Sequence, residues 1–223
     1  MNRIQDLIKR NRAWARRVSA EDPGFFSRLA HQHSPEILWI GCSDSRVPST
    51  QIVDLDPGEI FVHRNVANVI VHTDLNALST IQFAVEALQV KHVLVVGHYG
   101  CGGVGAVLEQ KRLGLIDNWL RHVDRVARLH RDALPADLPF AVRHARLCEL
   151  NAIEQAMQVA DTTVVSDAWQ RGQPLKVHAW IYGLEDGCMH DLGLDIAGSD
   201  EREPAYRKAL ENLANQWNTE TQA

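Results

Sequence analysis

Three short, mostly apolar runs divide the first half of the chain. They cover residues 37–41, 60–63 and 92–97, and polar residues follow each of them. Runs of this kind are typical of strands that are covered on both faces. Residues 175–182 predict a late strand that ends before a turn at residues 186–187, and residues 162–166 predict one more short strand.

Helical periodicity fills most of the sequence between these runs. Residues 74–88 repeat apolar side chains at helical spacing, and the glycines at 102, 103 and 105 open a helix towards residue 111. Residues 115–161 are mostly helical, with breaks at 134–135 and 138–139, and residues 203–217 predict a C-terminal helix. This alternation predicts an α/β fold, with a mainly parallel central sheet flanked by helices.

The first 34 residues predict a helical arm in front of this core. One face of the first helix repeats at helical spacing and consists of Ile4, Leu7, Ile8, Asn11, Trp14 and Val18. Residues 22–24 (Asp-Pro-Gly) end that helix, and residues 25–31 predict a second, shorter one. The pattern fits packing of the arm against its own domain and against a neighbouring subunit equally well.

Length and composition narrow the class of protein. A chain of 223 residues suits one domain, which we divide into the arm (1–34), a core with the candidate site (35–110) and a helical and C-terminal part (111–223). The net charge of −5 gives no reason to expect nucleic acid as a partner. No segment predicts a secretory signal or a membrane span, and four cysteines are too few for a disulfide scaffold. We therefore expect a cytoplasmic protein with reduced thiols.

Two polar segments directly follow the first and third apolar runs. Cys42, Asp44 and Arg46 belong to Cys-Ser-Asp-Ser-Arg (42–46), and His98 and Cys101 belong to His-Tyr-Gly-Cys-Gly-Gly (98–103). Because ligands collect at the carboxyl ends of the strands in an open parallel sheet, we expect the two segments to meet at one edge. Two thiolates, one imidazole and one carboxylate suit tetrahedral Zn²⁺.

Neither segment is specific by itself. Cys42 alone is most simply a buried thiol, and His98 alone is a hydrogen-bonded histidine of a loop. A redox module, in which Cys42 and Cys101 oxidise to a disulfide, would use the two thiols without a metal. The occurrence of both segments after strands in one short chain favours a metal site.

Four motifs, in order along the chain, make the sequence resemble the β-class carbonic anhydrases. They are Cys-Ser-Asp-Ser-Arg-Val-Pro (42–48), Pro-Gly-Glu (57–59), His-Arg-Asn-Val-Ala-Asn (63–68) and Gly-His-Tyr-Gly-Cys-Gly-Gly (97–103). The resemblance covers nearly the whole chain, including the arm. It implies a lyase that hydrates carbon dioxide reversibly to bicarbonate and a proton, through attack by hydroxide on zinc. It also implies one Zn²⁺ per chain, bound by Cys42, His98 and Cys101.

The same resemblance implies roles for other residues. Asp44 and Arg46 would form a catalytic dyad: Asp44 as fourth zinc ligand switches the enzyme off, and Arg46 holding Asp44 switches it on. The substrate pocket would contain Phe61, Val66, Phe83, Gly102, Gly103 and His33. Two positions depart from the family pattern, since relatives often carry tyrosine at the position of Phe83 and many carry glutamine near His33.

A bicarbonate-regulated bacterial subtype of the family adds one more expectation. Trp39, Arg64 and Tyr182 resemble its second, non-catalytic bicarbonate pocket, and bicarbonate bound there would favour the state with Asp44 on zinc. Trp39 and Tyr182 also fit ordinary core positions of their strands.

The resemblance also implies self-association. The family builds dimers in which the arm wraps the partner, and these dimers often pair into tetramers.

Other functions fit the same ligands. Carbon disulfide and carbonyl sulfide are linear and apolar like carbon dioxide, so a hydrolase acting on them would share this scaffold. A non-catalytic zinc protein that senses bicarbonate is the alternative outside enzymes. It would need a broken dyad or a permanently closed fourth position, and the presence of both Asp44 and Arg46 argues against it.

Overall fold

A computed structural model describes residues 3–31 and 34–222 of the chain. Within these residues five strands form one sheet: β1 (Ile37–Cys42), β2 (Ile60–Asn65), β3 (His92–His98), β4 (Lys176–Tyr182) and β5 (Met189–Ile196). Their spatial order is β2-β1-β3-β4-β5. Neighbouring strands are parallel, except that β5 runs antiparallel to β4. The predicted α/β fold with a mainly parallel sheet is confirmed.

Helices account for most of the remaining described residues. They are α1 (Arg3–Glu21), α2 (Phe25–His31), α3 (Leu75–Gln82), α4 (Gly102–Leu108), α5 (Ile116–Leu129), α6 (Phe140–Ala160), α7 (Thr163–Gln170) and α8 (Arg202–Gln222). A π-helical turn, Phe83–Ala87, continues α3, so the predicted helix over residues 74–88 is present in two parts. The helix that opens on glycines ends at Leu108, before residue 111.

Two elements of the C-terminal half differ from the prediction. The predicted strand over residues 162–166 is wrong, because Thr162 Oγ1 accepts the N–H of Val165 (3.4 Å) and caps the start of α7. The β-branched residues there favour a strand only in the absence of that cap. The second element, β5, has no counterpart among the predicted strands. A left-handed glycine, Gly193 (φ 72°), and a shift in the β4–β5 register interrupt its alternation.

The sheet separates two apolar layers. The larger core lies on the face where α6 packs against β3 and β4, and its fully buried side chains include Leu38, Ile40 and Val95. The opposite face carries a smaller cluster formed by Trp39, Val47, Ile60, Leu94 and Val96. Burial of β1 and β3 on both faces explains their short apolar runs.

The arm formed by α1 and α2 contributes no residue to either layer, since neither helix has a buried residue. The two helices contact each other through Trp14 and Phe26, whose ring centroids lie 5.6 Å apart in an edge-to-face arrangement. Among the described residues, no helix combines the length and the apolar character required to cross a bilayer.

The topology brings the two candidate segments to one edge of the sheet. β1 and β3 are adjacent and parallel, with Gly41 opposite Val96, so Cys42 and His98 leave the sheet at the same end. The chain leaves β1 for β2 on one side and returns to β3 on the other, which makes this a switch point in strand order. Open α/β sheets form their ligand sites at such points.

Candidate metal centre

Three predicted ligands converge at the carboxyl ends of β1 and β3. The ligand atoms of Cys42, His98 and Cys101 lie within 4.8 Å of one another, and all three residues are buried. The two sulfur atoms are 4.0 Å apart. Two thiolates bound to one tetrahedral zinc at ~2.3 Å each would be separated by ~3.8 Å, so the spacing fits the ion. The described residues contain no second cluster of this kind.

The His98 ring is oriented for a ligand. Its Nδ1 atom donates to the main-chain carbonyl of Tyr99 (2.9 Å), which fixes the tautomer and leaves Nε2 as an acceptor. That Nε2 atom is buried and has no hydrogen-bond partner among the described residues. Since buried polar atoms are nearly always satisfied, the arrangement indicates a metal ion on this nitrogen.

The two thiols form an electrostatic pair that favours a cation. A hydrogen bond between the two thiols lowers the pKa of Cys42 to about 4. The same hydrogen bond, together with burial, raises the pKa of Cys101. In the absence of metal, only one of the two sulfurs ionises readily, because two thiolates at this separation repel each other. A divalent cation held by these residues would remove that repulsion and favour deprotonation of both thiols.

Asp44 lies beside the cluster and forms an ion pair with Arg46. The guanidinium donates from Nε to Oδ1 (3.0 Å) and from Nη2 to Oδ2 (2.7 Å), and the main-chain N–H of Arg46 also reaches Oδ1 (2.9 Å). The hydrogen bonds from Arg46 hold the pKa of the Asp44 carboxyl well below its usual range. Oδ2 of Asp44 remains 3.8 Å from Nε2 of His98, so a short movement would bring it to the ligands.

The three residues predicted for a regulatory pocket share one side of the sheet. Strand pairing places Val62 opposite Trp39 and Arg64 opposite Gly41, so Trp39 and Arg64 point to the same face. Tyr182 packs against the small apolar cluster that contains Trp39. Arg64 donates to the main-chain carbonyls of Cys42 (2.8 Å) and Asp44 (2.5 Å), which links this face to the ligand segment.

Five of the six predicted pocket residues lie in the described part of the chain. The rings of Phe61 and Phe83 have centroids 5.6 Å apart. Gly103 lies close to Val66, since a Cβ atom added at Gly103 would be 3.2 Å from Val66 Cγ1. Gly102 begins α4 with no other atom close to the side on which a Cβ would lie. The remaining residue, His33, lies outside the described residues.

Helix α6 supplies contacts to the ligand segments that the sequence did not predict. His144 Nε2 donates a hydrogen bond to the carbonyl of Cys101 (2.9 Å), and the Tyr99 hydroxyl donates one to the Glu149 carboxylate (2.6 Å). Asn151 donates to the carbonyl of Ala67 (2.9 Å). α6 carries polar and charged residues along much of its length, so the sequence alone did not single these three out. Glu149 and Asn151 need partners because the fold buries them.

Comparison with known proteins agrees with this geometry. The sequence model of the family described as carbonic anhydrase matches residues 37–189. A carbonic anhydrase of Emericella nidulans is 47% identical over 193 residues, which cover 86% of this chain and 84% of that protein.

Solved structures give the same result. The Coccomyxa β-carbonic anhydrase in complex with acetazolamide matches with a TM-score of 0.84 and 36% identity, covering 90% of this chain and 91% of that one. One of the tetrameric β-carbonic anhydrases of Sordaria macrospora matches with a TM-score of 0.82 and 36% identity, covering 88% and 100%.

The chain therefore belongs to the carbonic anhydrase family, in its β class. It is an enzyme of the lyase type with zinc as its cofactor, and members of this class hydrate carbon dioxide. The cluster of Cys42, His98 and Cys101 is positioned to hold the ion.

Proposed function

We propose that the chain hydrates carbon dioxide reversibly to bicarbonate and a proton at a zinc centre held by Cys42, His98 and Cys101. The observation that carries this proposal is the buried convergence of the three ligand atoms, with His98 Nε2 unsatisfied by any described residue. When bound, Zn²⁺ supplies Lewis-acid chemistry, because it acidifies water and so provides a nucleophile at neutral pH.

Asp44 and Arg46 gate the fourth coordination position in this proposal. Arg46 engages both carboxylate oxygens of Asp44 and so keeps Asp44 off the ligand cluster, which leaves the position open. Loss of the Arg46 contacts frees the carboxylate to complete the donor set and close the position. The 3.8 Å separation between Asp44 Oδ2 and His98 Nε2 supports a small movement between the two states.

The substrate pocket combines apolar side chains with main-chain donors. Phe61, Val66 and Phe83 favour an uncharged, apolar molecule over water. Gly102 and Gly103 begin α4, where main-chain N–H groups lack acceptors within the helix and can donate to bicarbonate oxygens. His33, if it borders the pocket, would add a group that titrates near neutral pH.

Bicarbonate inhibits the enzyme from a second site at Trp39, Arg64 and Tyr182 in this proposal. The support is the pair of hydrogen bonds from Arg64 to the carbonyls of Cys42 and Asp44. An anion that draws Arg64 away would remove two restraints on the segment that carries the dyad. Bicarbonate would then favour the closed state through its higher affinity for that state.

The enzyme acts as a homo-oligomer, a dimer or a tetramer. The tetrameric enzymes of Sordaria macrospora support this assembly, and so does the exposed apolar face of α1. We place the partner subunit on that face of the arm.

The decisive experiment measures carbon dioxide hydration by stopped flow on protein of known zinc content. We expect one zinc per chain and turnover that scales with zinc occupancy. Cys101→Ala should lose both zinc and turnover. Cys188→Ala is the control, since Cys188 is a free thiol that is exposed and lies outside the ligand cluster, and it should keep both.

Two outcomes would overturn the proposed function. Zinc-loaded protein without hydration activity would favour a non-catalytic zinc protein. Faster turnover of carbonyl sulfide or carbon disulfide than of carbon dioxide, in the same assay, would favour the hydrolase alternative.

Addition of bicarbonate to the wild-type assay tests the second site. Rates that fall only through mass action would contradict inhibition from that site.

A further inference from the structure

A chain of buried hydrogen bonds joins helix α6 to the sulfur of Cys42. Gln155 Oε1 accepts the main-chain N–H of Ile70 (2.8 Å), and Gln155 Nε2 donates to Asn151 Oδ1 (3.1 Å). Asn151 Nδ2 then donates to the carbonyl of Ala67 (2.9 Å). The N–H of Ala67 points at Cys42 Sγ, 3.4 Å away. Asn151 is 1% exposed and Gln155 is 2% exposed, so solvent does not compete with these bonds.

The main-chain groups at the two ends of this series of hydrogen bonds determine how both side-chain amides are oriented. At Ile70 the backbone offers only an N–H, so Gln155 must present its oxygen there and its nitrogen to Asn151. Asn151 must therefore accept with its oxygen and donate to Ala67 with its nitrogen. No other orientation of the two amide groups satisfies all three bonds.

The segment that carries the donor adopts an unfavourable backbone conformation. Ala67 (φ 63°) and Asn68 (φ 46°) are both left-handed, which is disfavoured for residues with a Cβ atom. Asn65 holds the segment from the other side, because its side chain both donates to and accepts from the main chain of Val69 (2.7 and 2.8 Å). Such conformations persist where surrounding bonds impose them, and they concentrate at functional sites.

We propose that Asn151 and Gln155 are positioning residues that hold the Ala67 N–H on Cys42 Sγ and thereby weaken the electron donation of this thiolate to zinc. The proposal rests on the proposed function, in which Cys42 is a zinc ligand. Two thiolates make a bound cation a weaker Lewis acid. An N–H donor on one sulfur withdraws electron density from it, so the cation keeps its capacity to acidify water.

The sulfur-to-metal charge-transfer band of the cobalt(II)-substituted protein tests this inference. Asn151→Leu has a similar volume but cannot hold Ala67. We expect its charge-transfer band to move to longer wavelength, because a sulfur without the N–H donor loses an electron more easily. Carbon dioxide hydration by the zinc form should fall about tenfold, as is typical when an outer partner of a metal ligand is lost. Gln155→Leu should change both quantities in the same direction and by less.

Thr162→Val is the matched control. Thr162 is a buried polar residue just beyond the C-terminal end of α6, and its hydroxyl bonds to the main-chain groups of Val159 and Val165 at the α6–α7 junction. It should lower the denaturation midpoint without moving the charge-transfer band. If Asn151→Leu does not fold, Asn151→Ser serves in its place, since its hydroxyl is too short to reach the Ala67 carbonyl.

The spectrum separates this inference from the proposed function. A folded, cobalt-loaded Asn151 variant with an unchanged charge-transfer band would overturn the positioning role, whatever its activity. A wild-type zinc protein that fails to hydrate carbon dioxide would overturn the proposed function, and the cobalt band would still report the bond to sulfur. A band that moves equally in Thr162→Val would also overturn the inference, because general destabilisation would then explain it.

Discussion

At the scale of single residues, the contact between Asp44 and Arg46 is the one on which the proposed gating depends. Because Arg46 depresses the pKa of Asp44, the carboxylate stays ionised throughout the neutral and mildly acidic range. In the proposed gating, protonation of Asp44 would therefore not open or close the fourth position at ordinary pH. The proposal assigns that control to Arg46, which binds the same carboxylate.

We predict that Arg46→Ala lowers carbon dioxide hydration roughly tenfold or more, because Asp44 loses its two guanidinium bonds and is free to join the ligands. The double variant Asp44→Ala/Arg46→Ala should recover part of that loss, since no carboxylate remains to close the position. Stopped-flow rates at equal zinc occupancy give the comparison. Arg207→Ala, which removes an exposed ion pair with Glu203, is the control and should match wild type. A double variant slower than Arg46→Ala would contradict the gating role.

At the scale of elements, the first two residues of α4 show how closely this helix approaches the β2–α3 connection. A Cβ atom at Gly103 would lie 3.2 Å from both Leu120 Cδ2 and Val66 Cγ1, whereas a Cβ atom at Gly102 would meet no atom within 4 Å. The two adjacent glycines therefore differ in their surroundings. Gly103 lies at a close approach to neighbouring side chains, and Gly102 faces open space.

We predict opposite effects of alanine at these two positions on the free energy of unfolding. Gly103→Ala should cost about 1–3 kcal/mol, because two branched side chains must move to admit the methyl group. Gly102→Ala should be neutral or stabilise by up to about 1 kcal/mol, because alanine restricts the unfolded chain and favours the helix. Urea denaturation of both variants at equal zinc content measures the difference. Equal destabilisation by the two substitutions would refute this packing account.

The elements that the sequence predicted well are those whose burial is uniform. β1 and β3 are covered on both faces, so their apolar runs identify them without knowledge of the fold. β5 combines buried Leu194 with exposed polar side chains and a register shift against β4, and no short-range pattern encodes that arrangement. At α7, one capping hydroxyl on Thr162 outweighs the strand preference of the residues that follow it.

In the candidate site, too, some features could be predicted from the sequence and others depend on the fold. The residue types and positions of Cys42, His98 and Cys101 after strands favoured a metal site, and the family resemblance identified these three residues as its ligands. The contact of Asn151 with Ala67 joins residues 84 positions apart, so only the packing of α6 on the sheet reveals it. Ala67 belongs to a motif that the sequence did identify, but its left-handed conformation and its bond to sulfur depend on the fold.

We expect a pair of histidines on β3 and β4 to make the stability of the fold depend on pH. Nδ1 of His92 lies 3.0 Å from Nε2 of His178, and the other ring nitrogen of His178, Nδ1, bonds to the Asp195 carboxylate. Burial is the main cause that lowers the pKa of His92. Electrostatic effects of His178, Lys176 and Lys91 lower this pKa further, and Glu36 opposes them. Since the folded pKa is below the unfolded value of ~6.5, the unfolded chain takes up the proton more readily. The stability contributed by neutral His92 is therefore fully present above the unfolded pKa. It is lost as the pH falls from the unfolded pKa through the folded pKa.

We predict that His92→Asn reduces the loss of stability between about pH 7.5 and about pH 5.5, because the variant has no imidazole to protonate on unfolding. Urea midpoints of wild type and variant at the two pH values give the comparison. His72→Asn, at an exposed histidine, should retain the wild-type dependence on pH. An identical acid-induced loss in His92→Asn and wild type would show that other groups are responsible.

At the scale of the whole molecule, one chain leaves a large apolar surface on its arm. Ile4 (67% exposed), Leu7 (51%), Ile8 (57%) and Trp14 (42%) face outward from α1, although their spacing is that of a buried helix face. Self-association, which the tetrameric enzymes of Sordaria macrospora exemplify, would cover such a face. The assignment of residues 1–223 to one domain and the cytoplasmic location stay predictions.

We predict that Leu7→Glu/Ile8→Glu reduces the assembly to smaller species, because two carboxylates on this face cannot be buried against a partner without a large desolvation cost. Light scattering coupled to size-exclusion chromatography, over a range of concentrations, measures the mass. Lys9→Gln/Arg16→Gln is the matched control, since it changes the net charge equally but alters exposed residues on the opposite side of α1. We expect the control to keep the wild-type mass. A Leu7/Ile8 variant with an unchanged mass at every concentration would show that the arm packs elsewhere and that another surface holds the subunits together.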